Sequence, residues 1–507
     1  MASEDKHIAS PGCSDTKDDT LMEDIAEVGH AATDHLGRSL IHTDREREAK
    51  LRKKIDWYIT PLVSLIYLFC FIDRSNIGNA RLGGLEIDLN MTGSDFNVAL
   101  SIFYISYILF EVPAIMLCKR IGPGWFLPAT CLGFGVASLG TAFVTSYAQL
   151  CGVRFVLGIF EAGMLPGTSY YLSRWYRRAE LTWRMSFFIV SAALAGAFGG
   201  LLASAILSTP DIGSVTSWKK IFLVEGIITC GIALVSLVAL TDCPGTAIWL
   251  NEDEKSLAAS RVKSERIGMT ELLDTHTNKK FMMGILNPVV LAASFIFLLL
   301  QITVQGLAFF LPTIISTIYP AASIVQQQLY TVPPYALGTV ACLVVCFLST
   351  RLDRRGIFLV VCAPFSIIGY SIFMGTNNGH ARYGATFLPM CGVFAYGATV
   401  PSHISANVVS DTARSSAMGL FALMGNFGGL ISTWTFLPSD RPSYHIGNGL
   451  NLAAQLAIFV IALGMFFWIR AENKKREGRD VVSELCGMSI QEIQDLDWKH
   501  PGFRFHN

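Results

Sequence analysis

Long apolar runs alternate along the chain with short breaks rich in charge, Pro or Gly. Each run approaches the roughly 20 residues that, at about 1.5 Å apiece, cross the hydrocarbon layer of a bilayer, so each is expected to form a membrane-spanning helix. Six spans are expected at residues 57–80, 96–118, 125–145, 148–172, 185–207 and 221–241. Six more are expected at 288–315, 332–349, 357–374, 383–408, 418–437 and 450–469. The stretch between the two sets, 251–280, is rich in charge and carries an expected amphipathic helix around 252–263.

This pattern predicts an all-α membrane protein of twelve transmembrane helices in two six-helix bundles. Residues 1–54 are polar and expected to be a disordered tail, with no signal peptide before the first span. The first bundle is expected at 55–242, a linker at 243–284, the second bundle at 285–470 and a polar tail at 471–507. Basic residues concentrate in alternate loops: Lys119, Arg120, Arg174, Arg177, Arg178, Arg184, Arg351, Arg354, Arg355 and Arg414. The opposite loops hold only Arg81, Lys219, Lys220, Arg382 and Arg441. That asymmetry places both termini in the cytoplasm. Parallel halves of this kind form a known transporter architecture with its solute site between them at mid-membrane.

Composition agrees with lipid as the solvent. Hydrophobic residues make up 52% of the 507 and charged ones 15%, against roughly a quarter charged in an ordinary soluble domain. Mean hydropathy is +0.45. Net charge is zero, so no nucleic-acid partner is expected. The twelve cysteines form no CxxC pair and fall mostly within apolar runs, as small buried hydrophobes. No nucleophile constellation, metal-ligand cluster or phosphate loop points to an enzyme, and no cofactor or metal is expected.

Charges inside apolar helices carry the chemistry, because an ionisable group at the bilayer centre costs about 2.5 kcal/mol or more unless it meets a partner, cavity or ligand. Asp73-Arg74 lies late in the first span, where the pair either marks the helix end or faces a site. Arg154 and Glu161 lie two turns apart on one face of the fourth span, about 10 Å along the axis. A bridging water, a substrate or a charge from a neighbouring helix fits that spacing better than direct pairing. Glu111 and Glu225 read as helix braces. His403 is either a satisfied core residue or a group that titrates near neutral pH.

Gln301 and Gln305, one turn apart in the seventh span, and His403 and Asn407 in the tenth, are candidates to line a substrate cavity. Interhelical hydrogen bonding is an equal alternative for the glutamines. The runs Leu194-Ala-Gly-Ala-Phe-Gly-Gly-Leu and Gly425-Asn-Phe-Gly-Gly-Leu place small residues at helix spacing, where backbones pack closely.

The run Arg154-Phe-Val-Leu-Gly-Ile-Phe-Glu-Ala-Gly-Met-Leu-Pro-Gly-Thr-Ser-Tyr-Tyr-Leu-Ser-Arg-Trp-Tyr closely resembles the fourth-span signature of the anion:cation symporter family of the major facilitator superfamily. The variant is similar to the fungal allantoate permease branch. Asp73-Arg74-Ser-Asn-Ile-Gly-Asn-Ala, Trp218-Lys-Lys-Ile-Phe-Leu-Val-Glu-Gly and the tail 495–505 extend the resemblance from residue 54 to 505. It implies a major facilitator fold and a coupling site in which Asp73 and Glu161 bind protons while Arg74 and Arg154 attract a substrate carboxylate. Two segments depart from the family pattern. Cys118-Lys-Arg-Ile-Gly-Pro-Gly lacks the usual loop aspartate, and Arg441-Pro-Ser-Tyr replaces Ala-Pro-Arg-Tyr.

The expected function is therefore proton-coupled symport of a small organic anion such as nicotinate, allantoate or a related compound, by a monomer whose partners are protons, substrate and the lipid bilayer. The plasma membrane is the expected location, with the vacuole as an alternative. Export of an acidic metabolite, and nutrient sensing without transport, are the rival readings.

Overall fold

The computed structural model describes residues 45–506, except 177, 212, 214, 268–277, 353–354, 479, 486–487 and 489–495. The expected disordered tail up to residue 44, and Arg177 and Arg354 of the basic loops, lie outside the described residues.

The described chain folds as helices joined by short turns. In the first half these are α1 (Arg45–Leu82), α2 (Asp95–Ile121), α3 (Pro123–Thr141), α4 (Tyr147–Ser173), α5 (Arg178–Ser208) and α6 (Lys219–Ala239). In the second half they are α7 (Pro288–Ile318), α8 (Val332–Leu352), α9 (Arg355–Gly375), α10 (Gly379–Ala406), α11 (Asp411–Ser432) and α12 (His445–Glu477). Each of the twelve overlaps one expected span. Among the described residues, nine helical stretches are long and apolar enough to cross a membrane by length and composition.

Two boundaries differ from the sequence reading. The tail expected to run to residue 54 is helical from Arg45, because Glu46 and Glu48 favour the first turn and Leu51 and Ile55 are already buried. The polar segment after α12 folds back as well. Arg476 donates to the carbonyls of Trp498 and Phe503, and Asn473 holds the backbone of Phe505.

Helix α4 is interrupted at Ala162–Gly163, between Tyr147–Glu161 and Met164–Ser173. Pro166 lacks the N–H that would bond the carbonyl of Ala162, so the ladder fails there. Glu161 stands at this break. At the start of α3, Asp242 from beyond α6 accepts the Gly124 N–H at 3.2 Å and pairs with Arg174 at 2.6 Å. A carboxylate at a helix N-terminus is favourable, and Gly122 and Gly124 leave it room.

Outward faces of the helices are apolar. Leu109, Val112 and Met116 of α2, Val235 and Val238 of α6, Val340 and Phe347 of α8 and Val460 and Phe467 of α12 are all exposed, as a lipid-facing surface requires. One buried core centres on α1 to α6 and reaches across to Phe309, Phe310 and Phe436. The second centres on α7 to α12 and takes in Val190, Ala193 and Ala197 of α5.

The halves meet along α1 and α7, α2 and α11, and α5 with α8 and α10. We call the end where α1 begins and α12 finishes the near end. Hydrogen bonds joining the halves gather at the far end. Asn97 donates to the carbonyl of Thr433 at 2.5 Å, Trp434 Nε1 to Ser101 Oγ at 2.9 Å, and Gln328 Nε2 to the carbonyl of Asn79 at 3.2 Å. Below them Phe310 lies against both Phe96 and Phe436, at centroid distances of 6.0 and 5.2 Å. The glycine runs serve close approach as read: Gly196 of α5 faces Tyr335 of α8, Gly200 faces Thr331 just before α8, and Gly429 of α11 faces Tyr104 of α2.

Candidate functional site

The ionisable residues of α1 and α4 converge inside the first half. Arg74 donates from Nε (3.1 Å) and Nη2 (2.7 Å) to Glu161 Oε2. Glu161 is 0% exposed and Arg74 is buried beside it. The second Glu161 oxygen, Oε1, is buried without a hydrogen-bond partner. The Arg74 guanidinium also lies 5.0, 5.1 and 5.3 Å from the rings of Phe71, Phe103 and Tyr107. Tyr104, whose hydroxyl is buried without a partner, packs its ring on Phe309 from the second half.

Asp73 makes different contacts although it is the preceding residue. Its carboxylate accepts from Ser138 Oγ of α3 at 2.9 Å and Thr229 Oγ1 of α6 at 3.4 Å. Successive helical residues point about 100° apart, so the two charges address different neighbours.

Arg154 is 2% exposed, and its Nε and Nη2 hold no hydrogen bond. The ring of Phe222 is 5.8 Å away, and Glu161 and Asp73 act on it only electrostatically. A guanidinium stays charged inside a protein, so this cation sits buried with two of its nitrogens unmet. Glu225, one turn before Thr229 on α6, is fully buried with neither carboxylate oxygen hydrogen-bonded.

The other sequence candidates are dispersed. Gln305 is buried with Oε1 unpartnered, one turn from Phe309, which packs on Gly78 of α1. Gln301 lies against Gly428 of α11. Both are on the flank of α7 that meets neighbouring helices. His403 and Asn407 are buried at the near end of α10. Asn407 donates to the carbonyls of His403 and His506 and accepts the His506 N–H at 2.8 Å. Its amide fastens the tail, so the structure does not bring it to the charged cluster.

Several residues at the site carry no signal in the sequence. Ser138, Thr229 and Tyr104 are ordinary polar positions until helix packing sets them beside Asp73 and Arg74. Glu111, read as a helix brace, accepts from Asn426 Nδ2 of α11 at 2.8 Å and so joins the two halves. The spacing of Asn426 within its glycine run was the only hint.

Two packed halves of six helices, with buried charge at mid-length and an apolar exterior, define a membrane transporter. The sequence matches the Major Facilitator Superfamily over residues 63–433, and the chain belongs to that family. It is a transporter, not an enzyme. It is 32% identical over 439 residues to an uncharacterized transporter of Schizosaccharomyces pombe, covering 86% of this chain and 89% of that one. It is 31% identical over 464 residues to the high-affinity nicotinic acid transporter of Saccharomyces cerevisiae, covering 90% and 85%. Among solved structures, the fold matches the xylose transporter XylE of E. coli, in a partially occluded inward open conformation, with a TM-score of 0.62 at 13% identity over 80% of this chain and 97% of the other. A bacterial homolog of the human lysosomal transporter Spinster gives 0.59 at 15% identity, over 81% and 96%.

Proposed function

We propose that the chain is a proton-coupled symporter of a small organic carboxylate, of the anion:cation symporter type. The observation that carries this reading is Arg154, a buried cation whose Nε and Nη2 lack a partner. Such a group needs an anion, and an anionic substrate arriving between the halves supplies one. The kinship with a nicotinic acid transporter supports a carboxylate of that kind.

Glu161 stands within the influence of both arginines and is bonded to one of them. Protonation of Glu161 releases Arg74, and a substrate carboxylate then takes its place. Asp73, held by two hydroxyls, is the second proton site. Proton and anion are thereby coupled through competition for the same cations. The halves, 55–242 and 285–470, rock about this site. With the far end closed by Asn97, Thr433 and the Phe310 cluster, the path opens towards the near end. Both termini are cytoplasmic, as the basic loops predict, and the plasma membrane is the location this reading takes.

The test is uptake of labelled nicotinate, allantoate and other small acids by cells or proteoliposomes at two external pH values. Uptake of one of them that rises on acidification is expected. Transport of neutral or cationic solutes alone, insensitive to pH, overturns the reading.

A further inference from the structure

At the far end, between the halves, lies a small cavity of about 130 Å³ that the coupling site does not use. Arg81 and Phe96 border it from the first half, Pro438 and Arg441 from the second. Arg81 is 7% exposed. Its Nη2 pairs with Glu86 Oε1 at 2.7 Å, while its Nε and Nη1 are buried without a hydrogen-bond partner. The guanidinium Cζ lies 4.2 Å from the Phe96 ring centroid and 5.9 Å from that of Phe310. Aromatic faces hold a cation in place but accept no N–H in the plane of the fork. Arg441 comes from the turn before α12, with its Nε donating to the Tyr444 hydroxyl at 2.8 Å, and it acts electrostatically on Arg81.

Two arginines thus border one cavity from opposite halves, against a single carboxylate, that of Glu86. Their mutual repulsion is relieved by one small anion. The cavity also rests on the Phe96, Phe310 and Phe436 cluster that closes the far end. Arg81 follows Arg74 by two helical turns, about 10 Å along the same face of α1. An anion held here is one short step from the coupling site when the aromatic cluster parts.

We propose that Arg81 and Arg441 form an entry site that captures a small monocarboxylate at the far end before it passes to Arg74 and Arg154. The proposal rests on the carboxylate reading above. Glu86, which also borders the cavity, competes with the ligand for Arg81.

The experiment is ¹⁹F NMR titration of the purified full-length protein in detergent with 5-fluoronicotinate. Wild type, Arg441→Ala, Arg74→Gln and the double variant are compared at low and high salt. Two classes of binding are expected in wild type. The weaker one survives Arg74→Gln, fades at high salt, and weakens about tenfold when Arg441→Ala is added, as loss of a charge-assisted contact implies. Arg441 is exposed, so its single variant leaves packing intact and carries the test even where Arg74→Gln fails to fold. A titration in which Arg441→Ala changes nothing, or in which folded Arg74→Gln leaves no binding, overturns the entry site. The two readings fail separately: a salt-sensitive weak class with no carboxylate uptake sinks the transport reading, whereas carboxylate uptake without an Arg441-dependent class sinks this one.

Discussion

Glu161 Oε2 receives both Nε and Nη2 of Arg74, whereas Arg154, on the same helix as Glu161 and two turns before it, keeps Nε and Nη2 unbonded. One carboxylate therefore stands between two buried cations and neutralises one directly. If its protonation is what releases Arg74, Glu161→Gln fixes the released state. Nicotinate, as the trial substrate, then no longer accumulates against its gradient in proteoliposomes, while exchange of labelled for unlabelled nicotinate continues. Accumulation at the wild-type level by the variant removes Glu161 from the coupling step.

Arg154 separates a binding role from a structural one. Breaking a buried ion pair costs about 3–5 kcal/mol, because the surviving partner is stranded. Arg154 has no such bonded partner, so Arg154→Gln is expected to leave the thermal midpoint of the purified protein unchanged or higher. Uptake of the same probe falls at least about 100-fold, since the forked charge that meets the carboxylate is gone. Arg154→Lys restores charge but not the fork, and recovers only part of the activity. A large fall in thermal midpoint for Arg154→Gln marks the residue as a brace instead.

The spans and their charged residues were legible because burial of polar backbone in lipid forces long apolar helices, and charge within them stands out. Partners were not legible. Asp73 and Arg74 are adjacent in sequence, yet one meets Ser138 and Thr229 and the other Glu161, and only the rotation and packing of α1 decide which. Asn407 read as a cavity residue because a buried amide in an apolar helix looks functional. It is satisfied instead by a segment 99 positions further on, a contact that no local pattern announces. The helical start at Arg45 was missed for a related reason: Leu51 and Ile55 are buried by tertiary packing amid a run whose composition is that of a tail.

Charge at the near end gives a pH dependence with a definite sign. The helix Glu252–Ile267 docks on the first half through Lys54 and Glu254, at 2.7 Å, and through Arg261, which meets Glu48 and Glu180. The Lys54 hydrogen bond holds the Glu254 carboxyl below its usual range. A carboxyl depressed on folding contributes stability above its unfolded value and loses it as pH falls through the folded one. The thermal midpoint of wild type is therefore expected to exceed that of Glu254→Gln at pH 7, and the gap to close below about pH 4. The pair is about a third exposed, so the gap corresponds to at most about 1 kcal/mol. A gap that widens on acidification contradicts the assignment.

Closure of the far end depends on how closely α1 approaches α7. Gly78 presses on the backbone of Phe309, and a Cβ placed there runs into the Phe309 carbonyl. Backbone cannot yield as a flexible side chain does, so Gly78→Val must push the two halves apart at this level. Overpacking of this kind costs about 1–3 kcal/mol, enough to shift a two-state equilibrium by about 5- to 100-fold. The shift is read by cysteine cross-linking across the far end, with Asn97→Cys and Thr433→Cys, whose parent residues touch in the closed arrangement. Cross-linking is expected to be fast in the Gly78 background and slowed at least about fivefold by Gly78→Val, while the protein remains folded in detergent. Gly78→Ala, with a single methyl, gives an intermediate rate. If Gly78→Val cross-links as fast as the parent, the α1 and α7 contact does not govern closure.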